Sequence, residues 1–210
     1  TWEYIQVKDA EPYNITLYRS VYGPVIPDTD GTFYSLHWTA QYPEEPSVQA
    51  IMDQCNARNQ EEYVEACSKW WSLCFNAVYG DTVGNIGYHA TGAIPQRQTG
   101  DDGRLPKVGD GSMDWVEIAP FDELPNFTNP EEGYIVTANN PTSPPSEEYF
   151  NVVGTFAVGF RAQRIIDMLE DRINSDNPKV DVSYMSSIQG SVVNLEFSYL
   201  YSTVEHLVLT

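Results

Sequence analysis

Positive charge is what this 210-residue chain has least of: 11 Lys and Arg stand against 30 Asp and Glu, a formal charge of -19 at pH 7. That balance excludes nucleic acid and anionic membrane surfaces as partners, because both would repel the chain. Long apolar runs are missing too. No stretch approaches the roughly 18 or more apolar residues of a membrane-spanning helix, and the first twenty residues carry no signal-peptide pattern. Cysteine is sparse: Cys55, Cys67 and Cys74 leave an odd one out of any disulfide scheme, and none has the spacing of a zinc site. Cys55 and Cys67 could bridge two neighbouring helices or stand as inert buried thiols. There is no internal repeat and no low-complexity tract.

What remains is a globular composition. A hydrophobic content of 41% over 210 residues suffices for one substantial core or two small ones. The acidity fits a secreted or high-salt setting, and equally a well-solvated surface, since only 20% of residues are charged. Asn14-Ile15-Thr16 and Asn126-Phe127-Thr128 match the glycosylation acceptor pattern, which is short enough to arise by chance. The expected location is extracellular, periplasmic or in a secretory pathway.

Apolar spacing gives an α+β outline. Tyr4-Ile5-Gln6-Val7, Ile15-Thr16-Leu17-Tyr18 and Phe33-Tyr34-Ser35-Leu36-His37-Trp38 read as strands separated by Pro, Gly and Asp turns. Ser47 can cap a short helix through about Asn56. Asn59 with Glu62 three residues on resembles a capping box for a second helix, which buries Tyr63, Cys67 and Trp70. Leu73 to Tyr79 and Asn85 to His89 suggest a hairpin around Gly80, Asp81 and Gly84. From Gly92 to about Ser146 Gly, Pro, Asp and Asn dominate, and a loop this long tends to be functional or disordered. Ile165, Leu169 and Ile173, widened by Met168, predict a helix; Val193, Phe197, Leu200 and Val204 predict a last one from roughly Gly190 to Leu207. Strands first and helices last, without alternation, argue for α+β layering.

One ordered set of motifs goes further. Gly84-Asn85-Ile86-Gly87-Tyr88 is followed by Gly92-Ala93-Ile94-Pro95-Gln96-Arg97 and then by Thr137-Ala138-Asn139-Asn140. Around them lie Glu3-Tyr4-Ile5-Gln6-Val7, Gly23-Pro24-Val25-Ile26, Leu36-His37-Trp38-Thr39, Gly100-Asp101-Asp102-Gly103, Pro120-Phe121-Asp122-Glu123-Leu124-Pro125 and Arg161-Ala162-Gln163-Arg164-Ile165. The set resembles the penicillin amidase family of N-terminal-nucleophile hydrolases, in the central to C-terminal part of the nucleophile-bearing chain. It departs from the family at Tyr22, where a His is usual, at Val116-Glu117 and at Ala119. The resemblance implies part of an αββα sandwich forming a single partial domain: 1–91 strand-rich with two helices, 92–150 a long active-site loop region, 151–210 helical.

The family's reaction is acyl transfer from a linear amide to an N-terminal Ser, then hydrolysis of the acyl-enzyme. By resemblance Asn139 is the oxyanion-hole donor, and a neutral amide suits that task because it can be buried without the cost of a charge. Pro141 biases Asn140 toward an extended backbone that helps to fix the turn. Arg164 matches the family's positioning Arg, a role suited to a rigid fork of five donors, with Arg161 as the competing assignment and a solvated charge paired with Asp167 or Asp171 as the plain alternative. Arg97 reads as a loop tie. Trp115, Phe121 and Tyr134 could line an acyl pocket or belong to the core. No cofactor is required. A structural calcium is implied, to which this region would add a backbone carbonyl near Gly103 and a carboxylate such as Glu147 or Glu148. Asp101, Asp102 and Asp110 lack EF-hand spacing, and His37, His89 and His206 are scattered.

Thr1-Trp2-Glu3 does not fit the nucleophile's place, so the nucleophile is expected on an upstream segment or companion chain. Substrates implied are penicillin-type compounds or N-acyl homoserine lactones. Two other functions stay open: a catalytically inactive relative serving as a structural or assembly subunit, and a secreted carbohydrate- or ligand-binding module suggested by 14 Tyr and 5 Trp.

Overall fold

The computed structural model describes residues 1–42, 46–142, 152 and 154–208. The chain divides into two compact units, one built on Thr1–Thr128 and the other on Thr155–Thr210 with the stretch that begins at Asn129.

The first unit opens with short antiparallel strands. β1 (Trp2–Ile5) pairs with β2 (Tyr13–Thr16), and β4 (Gly23–Pro27) sits between β3 (Tyr18–Ser20) and β5 (Phe33–Ser35). The sequence pattern places the first strand at Tyr4–Val7 and joins β2 and β3 as one strand over Ile15–Tyr18. Pairing decides otherwise: Leu17 N donates to the Thr1 carbonyl at 2.7 Å, which draws the ladder toward residues 2–5 and breaks the second strand at Leu17.

α1 (Ser47–Asn56) keeps its predicted bounds, but Ser47 is its first residue and not its cap. The Ser47 hydroxyl instead accepts from the Trp71 amide at 3.0 Å, beyond the end of α2 (Gln60–Ser68). Asn59 does cap α2, its Oδ1 accepting from Glu62 N at 2.8 Å. Glu62 reaches back one residue further than a standard capping box, to the Arg58 amide at 2.9 Å. The two helices pack together, each with a fully buried alanine, Ala50 and Ala66, and are tied by Lys69 to Asp53 at 2.7 Å. All three cysteines are free thiols; only Cys67 is buried, its Sγ accepting from Gln54 Nε2 at 3.1 Å.

The predicted hairpin is β6 (Asn76–Gly80) with β7 (Ile86–Ala90), turned by Asp81, whose Oδ1 accepts from the Val83 and Asn85 amides. A Cβ at Gly87 would meet the Tyr79 ring across the hairpin, so a larger residue there would have to displace that ring. The long predicted loop contains further pairing. β8 (Pro95–Gln96) meets β9 (Glu117–Ile118), and β10 (Asn126–Thr128) adds to the other edge of β7 with Phe127 opposite Tyr88. The second glycosylation pattern therefore lies in a strand, with Asn126 Nδ2 donating to the Leu124 carbonyl at 2.9 Å. Leu124, Thr91 and Cys67 are the largest fully buried side chains of this unit.

The second unit is helical: α3 (Phe160–Ile173), α4 (Val182–Gln189) and α5 (Leu195–Val208). α3 buries Ala162 and Leu169, while Ile173 at the end of the predicted stripe is exposed. α4 is capped by Asp181, which accepts from Tyr184 N, and it is held to α3 by Tyr184 Oη donating to the Met168 carbonyl at 2.6 Å. α5 begins five residues later than the sequence suggests, because Asn194 Oδ1 accepts from Phe197 N and so fixes the start.

Candidate active site

In the second unit the chain from Tyr134 reaches a tight bend at Ala138–Asn140. Asn139 has φ of 61°, a left-handed conformation that Asn tolerates better than other residues with a Cβ. The bend is locked from three sides. Asn140 Oδ1 accepts from the Ala138 amide at 2.9 Å, its Nδ2 donates to the Pro141 carbonyl at 2.9 Å, and the Asn139 carbonyl accepts from the Ala157 amide at 2.7 Å.

That last bond brings the start of α3 against the bend. Arg161, in the first turn of α3, donates from one terminal nitrogen to the Ala138 carbonyl at 2.8 Å and to Asn139 Oδ1 at 2.7 Å. A guanidinium can only donate, so the amide atom facing it must be the oxygen. The Asn139 Nδ2 is thereby turned away from Arg161, and among the described residues no hydrogen bond occupies it. Asn139 itself is exposed.

Arg164 lies about one helical turn further along. Its Nε donates to Ser191 Oγ at 3.1 Å, just beyond α4, and not to Asn139, Asp167 or Asp171. Asp167 is taken by Gln163 at 2.7 Å. The structure thus joins Asn139 to the competing Arg161 and places Arg164 elsewhere. Tyr134 Oη donates to Glu170 at 2.9 Å; burial first, then this bond to a carboxylate, pushes its phenol up to about 12.

The other sequence-predicted residues fall in the first unit. Arg97 donates to the Pro95 carbonyl at 3.3 Å and lies 6.0 Å from the Trp115 ring centre, a loop tie as its motif suggests. Trp115 stacks flat on His37 at 3.6 Å, with Tyr22 flanking His37 at 5.6 Å. Burial lowers the His37 pKa against the pull of Asp114, and nearby Arg97 lowers it further. Phe121 stacks on His89 at 3.9 Å, so Trp115 and Phe121 have separate ring partners and Tyr134 belongs to the second unit. The His206 side chain, Glu147 and Glu148 lie outside the described residues.

Around Gly103 the charges are mixed: the Arg97, Arg104 and Lys107 cations stand among the Asp101 and Asp102 carboxylates. The Gly103 φ of 71° and the Arg97 guanidinium packed where a Cβ would sit favour glycine. Asp101 accepts from the Gly103 amide and pairs with Lys107, both at 2.9 Å. Burial alone would raise the Asp101 pKa; the Gly103 amide, Lys107 and Arg97 outweigh it and hold the carboxyl below its usual value. The Gly103 carbonyl and two carboxylates already tied to Lys107 and Arg104 are short of the six to eight oxygens that Ca²⁺ takes. Among the described residues no group of three or more His, Cys, Asp or Glu side chains converges. The described residues alone do not fit a calcium site.

Comparison with known proteins gives one direction. The penicillin amidase family model matches residues 2–208. Penicillin G acylase of Escherichia coli is 34% identical over 180 residues, covering 85% of this chain and 21% of that protein. The acyl-homoserine lactone acylase QuiP of Pseudomonas fluorescens is 30% identical over 139 residues, 63% of this chain and 17% of that protein. Among solved structures, thermostable penicillin G acylase from Alcaligenes faecalis superimposes with a TM-score of 0.75 at 32% identity, covering 90% of this chain and 33% of that one. The chain spans about a fifth of the length of these curated relatives. It has the fold of the corresponding part of an N-terminal-nucleophile hydrolase, and it belongs to the penicillin amidase family.

Proposed function

We propose that this chain is part of an amidohydrolase that cleaves a linear amide, of penicillin or N-acyl homoserine lactone type, by acyl transfer to an N-terminal Ser carried outside these 210 residues. In this reading Asn139 donates from Nδ2 to the oxyanion, and Arg161 positions it. The observation that carries the proposal is the Arg161 contact to Asn139 Oδ1.

The chemistry follows from that contact. Attack by the Ser on the amide carbonyl in acylation, and by water on the ester carbonyl of the acyl-enzyme in deacylation, each places a negative charge on oxygen. A donor already aimed and unable to rotate stabilises that charge without reorganising at the moment of reaction. An Asn amide rotates freely unless one end is tied; Arg161 ties the oxygen end, and the Ala138 and Asn140 bonds fix the backbone beneath. The left-handed φ of Asn139 is the local cost of presenting the side chain outward.

The test is Asn139→Ala in the protein as isolated from its source, assayed on both amide classes. Loss of one oxyanion donor lowers kcat on the order of 10²- to 10³-fold with KM little changed. A variant that keeps kcat within about threefold would sink the assignment. No amide hydrolysis by the unaltered protein would favour the structural or assembly subunit.

A further inference from the structure

In the second unit the segment that carries Asn139 runs along α3 and is tied to it at both ends. Tyr134 Oη donates to Glu170 Oε1 at 2.9 Å, while Arg161 holds the Ala138 carbonyl and Asn139 Oδ1. Chain and helix therefore run in opposite senses, residue 134 meeting position 170 and residue 139 meeting position 161. Nine helical residues rise about 13.5 Å, and five residues of chain reach at most about 18 Å. Little slack is left between the two ties, so a shift at one end is felt at the other.

Regular structure does not fix this register. Residues 134–137 belong to no strand ladder among the described residues. Just before them the turn over residues 130–133 closes with Gly133 N donating to the Pro130 carbonyl at 3.0 Å. Gly133 has φ of 74° and open space where a Cβ would stand, which makes it a joint and not an anchor. Tyr134 is the residue next to that joint, and its hydroxyl is what reaches the helix. Its phenol, pushed up to about 12 by burial and then by Glu170, keeps the proton it donates throughout the neutral range. Arg161 sets which way the Asn139 amide faces, whereas the bond at Tyr134 sets where along α3 the segment lies.

We propose that Tyr134 and Glu170 are a positioning pair, which sets the register of the segment on α3 and so holds the Asn139 amide where the oxyanion forms. The inference rests on the reading of Asn139 as oxyanion donor. Tyr134 then acts through Asn139 and does not touch substrate. A displacement of about 1 Å in a reacting geometry can cost as much as 10²-fold in rate, so a bond remote from the chemistry has a kinetic reading.

Steady-state kinetics of variants in the full-length protein test it. Tyr134→Phe and Glu170→Ala remove the same bond from its two ends, and each should lower kcat by about fourfold or more with KM little changed. A smaller loss from either, or a rise in KM with kcat intact, overturns the proposal. Glu170→Gln keeps an oxygen that accepts from the phenol and should retain at least about half of the unaltered kcat; a lower value overturns it. The deciding variant combines Tyr134→Phe with Asn139→Ala. With no amide left to position, its kcat should match that of Asn139→Ala within about twofold, and any larger additional fall overturns the proposal. Should Asn139→Ala keep its kcat, the oxyanion reading fails and this one with it; should Asn139→Ala lose kcat and Tyr134→Phe not, the positioning pair alone fails.

Discussion

The choice between Arg161 and Arg164 shows what a single residue contributes. Both carry the same group on the same helix, yet only Arg161 reaches Asn139 Oδ1. The kinetics should separate them. Arg161→Lys keeps the charge but is shorter and loses the planar terminal nitrogen that holds the Ala138 carbonyl and Asn139 Oδ1 together, so kcat should fall by about tenfold or more with KM nearly unchanged. Arg164→Ala removes a bond to Ser191 and should leave kcat within about threefold. Equal losses in both variants would mean that Arg161 does not position the amide.

His89 offers a second measurement at this scale. It is buried, stacked on Phe121, and its Nδ1 faces the Ala90 carbonyl at 2.7 Å; a carbonyl only accepts, so Nδ1 carries the proton. Burial lowers its pKa, and the Ala90 carbonyl only partly opposes this. Between the lowered folded pKa and the unfolded value of about 6.5, the unfolded chain binds more protons. The stability from neutral His89 is therefore complete above about 6.5 and is lost as pH falls through the folded pKa. His89→Phe keeps the ring stack and removes the titration. Its denaturant midpoint should fall less than that of the unaltered protein between pH 7.5 and 5.5, and equal falls would contradict the assignment.

At the scale of elements, energetics follow local chemistry where a cap decides. Asn59→Ala leaves the Glu62 amide without its partner at an exposed helix start and should cost about 1 kcal/mol, read as a shift in denaturant midpoint with unchanged slope. The same locality governs what could be read from sequence. α2, the β6–β7 hairpin and the core of α3 were legible because cap, turn and spacing sit within a few residues. β8, β9 and β10 were not, since two- and three-residue strands exist only through distant partners such as Tyr88. α4 was missed because its Ser-rich sequence has little apolar period and its start rests on Asp181. In the candidate site the bend at Asn139 was visible as a motif. The choice of arginine was not, because spacing admits both and the Ala157 amide on the Asn139 carbonyl makes it.

At the scale of the whole chain, two opposing properties meet. In the first unit Trp2 is 72% exposed, and in the second Phe197, Leu200 and Val204 on α5 are exposed; these are apolar groups that association would bury. Against this stands a charge of -19, which makes copies of the chain repel one another. Repulsion between exposed charges is screened over about 10 Å at 0.1 M salt and about 3 Å at 1 M, while apolar attraction is not weakened by screening. Residues 1–210 prepared alone should then stay dispersed in dilute buffer and self-associate as sodium chloride is raised toward about 1 M. Light scattering against salt concentration checks this, and an Asp or Glu to Lys series on the surface should lower the salt needed. Scattering that stays flat to about 1 M would mean that the exposed apolar groups do not form a sticky surface.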